Sequence, residues 1–108
     1  MPATSYHAQQ YRRQAVVNAS PTMLTLKLYS AGVTAARSGD RETLRNVLVE
    51  LIGSLNHEKG GELAGRLYAL YSFCLTTMGH GDLTDIADIL DGLRESWREA
   101  FTARRMAA

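Results

Sequence analysis

The chain has 108 residues, a formal net charge of +1 and a hydrophobic fraction of 45%, which together indicate one ordinary folded domain. So small a net charge gives no global signal for binding to nucleic acid or to a membrane surface. The single cysteine excludes an intrachain disulfide and fits a reducing compartment, and we find neither the apolar region of a secretion signal nor a run that could span a bilayer.

The first 17 residues are the least regular part of the sequence. They are mostly polar, and their apolar anchors are Tyr6, Tyr11, Val16 and Val17. These anchors are too few for an independent helix. We therefore predict a short weak helix or an extended strap over residues 1–17.

A first long helix is predicted from Pro21 to about Arg37. Ser20 can cap it, because its hydroxyl can accept a hydrogen bond from an amide of the first turn, and proline is tolerated at the first helical position. Its apolar residues form two stripes, one of Leu24, Leu28, Ala31 and Ala35 and the other of Leu26, Tyr29, Val33 and Ala36. The helix is therefore apolar on two sides.

A second helix is predicted after Gly39, which suits a left-handed cap on the first helix, and Asp40, which can cap the second. Its apolar residues recur at steps of three and four: Leu44, Val47, Leu48, Leu51, Ile52 and Leu55. Polar residues occupy the opposite face. This pattern is typical of a helix with one buried face.

A third helix is predicted from the break at Gly60-Gly61 to about Met78. Its main apolar side carries Leu63, Leu67, Leu70, Tyr71, Cys74 and Met78. Tyr68 and Phe73 lie off that side, so the helix is apolar over more than half of its circumference. We predict that it is the central helix of the fold, with neighbours on two sides.

A fourth helix is predicted after the break at residues 79–81, with Asp82 or Thr84 as its cap. Its apolar stripe consists of Leu83, Ile86, Ile89, Leu90, Leu93, Trp97 and Ala100. Acidic residues stand near its start and arginines near its end, as the helix dipole favours. Four such helices with short connections predict an all-α fold, an antiparallel four-helix bundle over residues 20–105 of a single domain, 1–108.

Patterns that would indicate catalysis or metal binding do not occur in the sequence. Bundles hold metals through Glu-x-x-His pairs, and this chain has none. The three histidines are interpreted as solvated residues, and Cys74, which lies on an apolar stripe, as part of the core or of a groove wall. The basic pairs at 12–13 and 104–105 lack aromatic neighbours and do not indicate a nucleic-acid site. We therefore predict no enzyme activity, no cofactor and no metal.

The segment at residues 57–60 leaves a signalling alternative open. Histidine phosphotransfer domains are four-helix bundles of similar size, in which lysine and glycine follow the phosphorylated histidine at fixed positions. Here the lysine follows His57 one residue too early. The double glycine would also break the helix that has to present the imidazole. A phosphotransfer-like bundle remains as an alternative function.

The two-sided helices carry more apolar surface than a minimal four-helix core needs. Residues 6–17 could cover this surplus as a fifth packed segment. Alternatively, the surplus forms a groove for a partner helix that docks through apolar anchors. Periodicity alone leaves both interpretations open.

Three blocks of residues between positions 11 and 101 carry a resemblance to a known family. The blocks are Tyr11, Val16, Ala19-Ser20-Pro21, Leu24 and Leu26-Lys27-Leu28-Tyr29; Glu58-Lys59-Gly60-Gly61-Glu62-Leu63-Ala64 with Leu67, Leu70 and Tyr71; and Leu90, Leu93 and Trp97. In their order and spacing they resemble FliS, the family of flagellin-specific export chaperones. The chain departs from that family where Gly32 is displaced by one residue, and where the stretch from Tyr29 to Gly60 is shorter than usual.

The resemblance implies a cytoplasmic chaperone without catalytic activity. Such a protein binds the disordered C-terminal segment of flagellin, prevents its premature polymerisation and assists its delivery to the flagellar type III export apparatus. The export gate and other flagellar proteins are further candidate partners, whereas nucleic-acid binding and membrane insertion are not implied. The groove and strap residues predicted on this basis are Tyr11, Val16, Leu24, Leu28, Leu63, Leu67, Leu70 and Tyr71.

A free chaperone of this kind is expected to be a monomer or a weak dimer. The alternative from another functional class is a helical interaction or signalling bundle that dimerises through its exposed apolar face.

Overall fold

The computed structural model of the chain describes residues 21–107, with side chains as far as residue 103. This part of the chain forms four α-helices and no strand: α1 (Pro21–Ser38), α2 (Arg41–Gly53), α3 (His57–Thr77) and α4 (Thr84–Ala107). The predicted all-α fold of four packed helices is thereby confirmed. The predicted strap over residues 1–17 and the predicted cap at Ser20 lie outside the described residues.

The turn between α1 and α2 follows the capping pattern in its sequence. Gly39 has a φ of 76°, a left-handed conformation that glycine adopts at little steric cost. Its amide donates to the Ala36 carbonyl, and the Asp40 amide donates to the Ala35 carbonyl at 2.8 Å, which completes a Schellman motif. A carboxylate oxygen of Asp40 accepts from the Thr43 amide at 3.1 Å and caps α2. The hydrogen bonds with Thr43 hold the pKa of Asp40 below its usual value.

Helix α3 begins one turn earlier than its glycine pair predicts. Asn56 caps the additional turn, because its side chain accepts a hydrogen bond from the Lys59 amide at 2.9 Å. Gly61 lies inside the helix with φ 52° and ψ −124°, a combination that residues with a Cβ avoid. The predicted break is therefore a kink within α3, because the glycine redirects the chain between two hydrogen-bonded turns.

Helix α1, not α3, is the central helix. Close backbone packing, with Cα atoms within 8 Å, joins α1 to both α2 and α4, whereas it joins α3 to α2. The prediction that α3 is central is wrong, and Gly32 shows why. A Cβ on Gly32 would lie 2.8 Å from Leu90 Cδ1 of α4 and 3.2 Å from Val47 Cγ1 of α2. The absence of a side chain at Gly32 lets both neighbours approach α1, a property that hydrophobic periodicity does not report.

The core draws on all four helices and on the turn that follows α3. Its most completely buried large side chains are Tyr29, Leu44, Leu48, Leu51, Tyr71, Cys74, Met78 and Leu90. All of them belong to the stripes that the spacing of apolar residues predicts. Each aliphatic side chain of this size contributes roughly 1.5–3 kcal/mol to stability by its removal from water.

The bundle is open between α3 and α4, because no comparable backbone packing joins these two helices within the described residues. The turn that connects them is held against the start of α2. There the Arg41 guanidinium, at the start of α2, donates to the carbonyl oxygens of Met78 and Gly81. At the opposite end, where α3 begins and α4 ends, side chains of both helices line the same cavities.

Candidate partner-binding trough

The gap between α3 and α4 contains two adjoining cavities, which together we call the trough. The smaller cavity has a volume of about 180 Å³ and is lined by Thr25, Ser54, Leu55, Asn56, Gly60, Leu63, Ala64, Leu67, Tyr71 and Trp97. The larger has a volume of about 320 Å³ and is lined by Thr22, Leu63, Trp97, Ala100 and Phe101. Leu63 of α3 and Trp97 of α4 line both cavities, so the cavities meet at these two side chains.

The lining of the trough, as far as the structure describes it, contains no aspartate, glutamate, lysine, arginine or histidine. Two other cavities of the described chain differ in this respect. A groove of about 740 Å³ along the outer face of α1 includes Lys27, Asp40 and Arg98. A cavity of about 460 Å³ beside the turn between α1 and α2 is lined in part by arginines and aspartates. The trough is therefore a concave surface suited to an uncharged apolar guest.

A pair of tyrosines lies beneath the smaller cavity. The hydroxyls of Tyr29 and Tyr71 are 2.6 Å apart and share a hydrogen bond in the core. The Trp97 ring meets the Tyr29 ring edge-on, with centroids 5.9 Å apart and an interplanar angle of 78°, a favourable aromatic arrangement. These three side chains connect α1, α3 and α4 at the base of the trough.

Replacing either Tyr29 or Tyr71 with phenylalanine is expected to lower the free energy of unfolding by about 1–3 kcal/mol, because the other hydroxyl is left buried without its partner. Replacing both removes the two polar groups together and is expected to cost less than the sum of the single changes. Urea denaturation of the three variants measures these values. Single losses that add up in the double variant would contradict the pairing.

The same tyrosines make stability depend on pH in the alkaline range. Burial raises the pKa of Tyr29, and burial together with the neighbouring hydroxyl raises the pKa of Tyr71. Below about pH 9 both phenols are protonated in the folded and unfolded chain, so they add no pH dependence. Above that pH the two phenols ionise only in the unfolded chain, so the free energy of unfolding falls as the pH rises. The double phenylalanine variant is therefore expected to lose less stability than the natural protein between about pH 9 and about pH 11.

Three of the predicted groove residues line the trough. Leu63 is 57% exposed and faces both cavities. Leu67 and Tyr71 line only the smaller cavity and are 7% and 2% exposed. Leu63 is therefore an accessible contact for a partner, whereas Leu67 and Tyr71 form a buried floor.

The other predicted site residues lie elsewhere. Leu28 is a core residue that lines neither cavity. Leu24 and Leu70 are half-buried and also line neither cavity. Tyr11 and Val16 lie outside the described residues.

The structure adds trough residues that the sequence analysis did not select. Trp97 lines both cavities, Thr25 the smaller one and Phe101 the larger one. Trp97 is the only tryptophan of the chain, and it stands on the apolar stripe of α4, so its size and position were an available signal. Thr25 gave no such signal, since a threonine within a helix is usually interpreted as solvated.

Large apolar side chains are also exposed away from the trough. Val49 of α2 and Tyr68 and Phe73 of α3 are 54%, 48% and 54% exposed. The His57 ring, from the first turn of α3, lies edge-on to Tyr68 with centroids 6.0 Å apart. None of these four residues lines either cavity. They provide controls that match trough residues in exposure.

The described residues offer little for nucleophilic or metal chemistry. Cys74 is buried, and burial raises the pKa of its thiol, which disfavours the reactive thiolate. Within residues 21–107, histidine, cysteine, aspartate and glutamate side chains form no group of three that could hold a metal ion. In the same range, no helix combines the length and hydropathy needed to cross a membrane.

Comparison with known proteins gives two matches. A family model described as flagellar protein FliS matches residues 3–104. The flagellar secretion chaperone FliS of Campylobacter jejuni subsp. jejuni serotype O:6 is 31% identical over 68 residues, which cover 56% of this chain and 53% of the relative. The match thus spans about half the length of that curated relative. No solved structure matches the chain.

Proposed function

This chain belongs to the FliS family of flagellar proteins, and we propose that it is a cytoplasmic export chaperone whose trough binds the C-terminal segment of flagellin. The observation that carries the proposal is the uncharged trough at the open side of the bundle. Amphipathic helices dock in such grooves through their apolar residues. Similarity to a relative named as a flagellar secretion chaperone supports the class of partner.

The proposed activity is binding without turnover. The flagellin segment is disordered when free, and it would fold against the trough and bury the apolar face that it otherwise uses in filament assembly. Covering that face lowers the concentration of chains able to polymerise, by mass action. The conformational entropy that the segment loses on folding keeps the affinity moderate for the area of contact, which permits later release to the export gate.

The direct test is to mix the protein with flagellin from the same cell and to separate the products by gel filtration. We expect a species that contains both chains. Two separate peaks, one of them a dimer of this protein, would contradict the proposal. That outcome would favour the alternative of a bundle that dimerises through exposed apolar residues such as Val49, Tyr68 and Phe73.

Removing residues 1–17 is expected to speed the association of flagellin. This segment carries the anchors Tyr11 and Val16, and it is followed closely by Thr22, which lines the larger cavity. We propose that the segment is a strap that competes with flagellin for the trough. Without it, a larger fraction of molecules is open, so the apparent association rate rises. Stopped-flow mixing of flagellin with the full-length and truncated chains measures the change.

Circular dichroism of the truncated chain is the control, and its helix content is expected to be nearly that of the full-length chain. The free truncated chain is also expected to self-associate more, because its apolar trough is uncovered. An unchanged or slower association rate in a folded truncation would rule out the strap. A joint loss of stability and binding would instead indicate that Tyr11 and Val16 are ordinary core residues.

A further inference from the structure

The trough is divided into two unequal compartments. Among the described residues, its two cavities share only Leu63 and Trp97, one side chain from each of the helices that border the gap. We call this pair the ridge. Because the ridge side chains belong to both cavities, a guest that occupies the whole trough contacts both of them.

We propose that one partner segment binds the trough with two separate apolar side chains, one on each side of the Leu63–Trp97 ridge. The identity of the partner rests on the proposed function, namely flagellin. The division into two compartments does not depend on that identity. Since no charged residue among those that the structure describes lines either compartment, both inserted side chains are expected to be uncharged.

The volumes indicate which side chains fit. The smaller compartment, about 180 Å³, is only slightly larger than an apolar cavity of about 150 Å³ that accommodates benzene. It therefore suits a single compact side chain, such as that of leucine, isoleucine or phenylalanine. The larger compartment, about 320 Å³, has room for a bulkier aromatic side chain.

The two compartments also differ in the side chains that line them. The floor of the smaller one is formed by buried residues, Leu67 and Tyr71. The larger one is bordered by Ala100, which is exposed, and by Thr22, which is half-buried. The smaller one also has exposed lining residues, Ser54, Asn56 and Gly60. Truncation of either inserted side chain is therefore expected to weaken binding.

Two substitutions fill one compartment each. Thr25 lines only the smaller compartment and Ala100 only the larger, so Thr25→Leu and Ala100→Leu should each occupy one of them. Ala69→Leu is the matched control, because Ala69 is an exposed residue of α3 that lines neither compartment. Circular dichroism verifies that each full-length variant is folded.

The first test uses benzene as the probe and needs no protein partner. Benzene is titrated into the full-length chain, and ring-current shifts are followed by NMR at Leu67 for the smaller compartment and at Phe101 for the larger. We expect two saturable sites in the natural protein, with an apparent affinity reduced by the fraction of molecules in which the proposed strap occupies the trough. Thr25→Leu should abolish the response at Leu67 alone, and Ala100→Leu the response at Phe101 alone. A single site that is lost in both variants would overturn the division.

The second test uses the flagellin C-terminal segment, scanned with alanine and measured by calorimetric titration. We expect two apolar positions whose truncation weakens binding at least about tenfold, with smaller effects elsewhere. In Thr25→Leu the effect of one of these truncations should disappear, and in Ala100→Leu the effect of the other. If both filled variants remove the effect of the same truncation, the two-anchor model is wrong. If flagellin does not bind at all while benzene occupies two sites, the proposed function is wrong, but the division of the trough into two compartments is supported.

Discussion

Replacing Leu63 with aspartate is expected to weaken binding of the flagellin segment by at least about 100-fold, or about 2.7 kcal/mol, while leaving the helix content unchanged. The side chain is 57% exposed, so the free protein can keep the new carboxylate in water. In the complex the carboxylate would be covered by an apolar guest without a partner for its charge, which is costly. Isothermal titration calorimetry measures the affinity, and circular dichroism verifies the fold.

Phe73→Asp is the matched control for this experiment. Phe73 belongs to the same helix and is 54% exposed, but it lines neither cavity. The same change of charge at this position is expected to alter the affinity by less than about twofold, because exposed substitutions away from an interface have small effects. Equal losses at Leu63 and Phe73 would show that net charge or general destabilisation, rather than the trough, determines binding. Full binding by a folded Leu63→Asp variant would exclude the trough as the contact.

Replacing Leu67 with aspartate is expected to abolish binding by a different route, the loss of the fold. Leu67 is 7% exposed and forms part of the trough floor. A carboxylate there would be buried without a partner or would have to be protonated, and either state is unfavourable. We expect the free energy of unfolding to fall by at least about 4 kcal/mol, out of the roughly 5–15 kcal/mol typical of a folded domain. Chemical denaturation followed by circular dichroism measures this loss.

Leu67→Met is the control, because it changes the side chain at this position without introducing a charge. Leucine and methionine have similar volumes, so this variant should lose less than about 1.5 kcal/mol and should still bind flagellin. A Leu67→Asp variant that is as stable as the natural protein would contradict the burial of this residue. One that is stable and also binds flagellin normally would show that this face of α3 is not the contact.

Local features of the fold could be predicted from the sequence because short-range chemistry determines them. Asp40 caps α2 and Gly39 closes α1, as expected from residues that accept first-turn amides or adopt positive φ. The apolar stripes likewise predicted the fully buried side chains. These features depend on residues within one or two helical turns, all of which can be read along the sequence.

The arrangement of the helices was not predictable in the same way. Helix α3 is apolar over more of its surface than its packing requires, and its Leu63, Tyr68 and Phe73 remain exposed. Helix α1 is central because Gly32 allows α2 and α4 to approach it. The amount of apolar surface on a helix therefore did not indicate how many neighbours it has. Close approach depends on small residues as well as on large ones.

The candidate site was predictable only in part for a related reason. Leu63 and Leu67 are one helical turn apart on the same stripe, yet one is largely exposed and the other buried. The spacing of apolar residues assigns both to one face of the helix. It does not show which part of that face is covered by neighbouring helices. Trp97 belongs to the site because α4 ends where α3 begins, which is a matter of topology. The proximity of Trp97 to the start of α3 is seen only in the packed arrangement of the helices.

In the function proposed above, the trough, whose lining is uncharged among the described residues, also restricts how cargo can be unloaded. Salt screens charged contacts and pH changes protonation, but neither acts directly on contacts between uncharged apolar side chains. Ionic strength or acidity at the export apparatus would therefore be a weak trigger for release from this surface. Unloading would instead require another apolar surface to take over the flagellin segment, or a steady removal of the free segment that draws the equilibrium forward. On this view, the direction of cargo transfer is determined by what happens to the flagellin segment after it dissociates. The chaperone itself would be unchanged and could bind another flagellin chain.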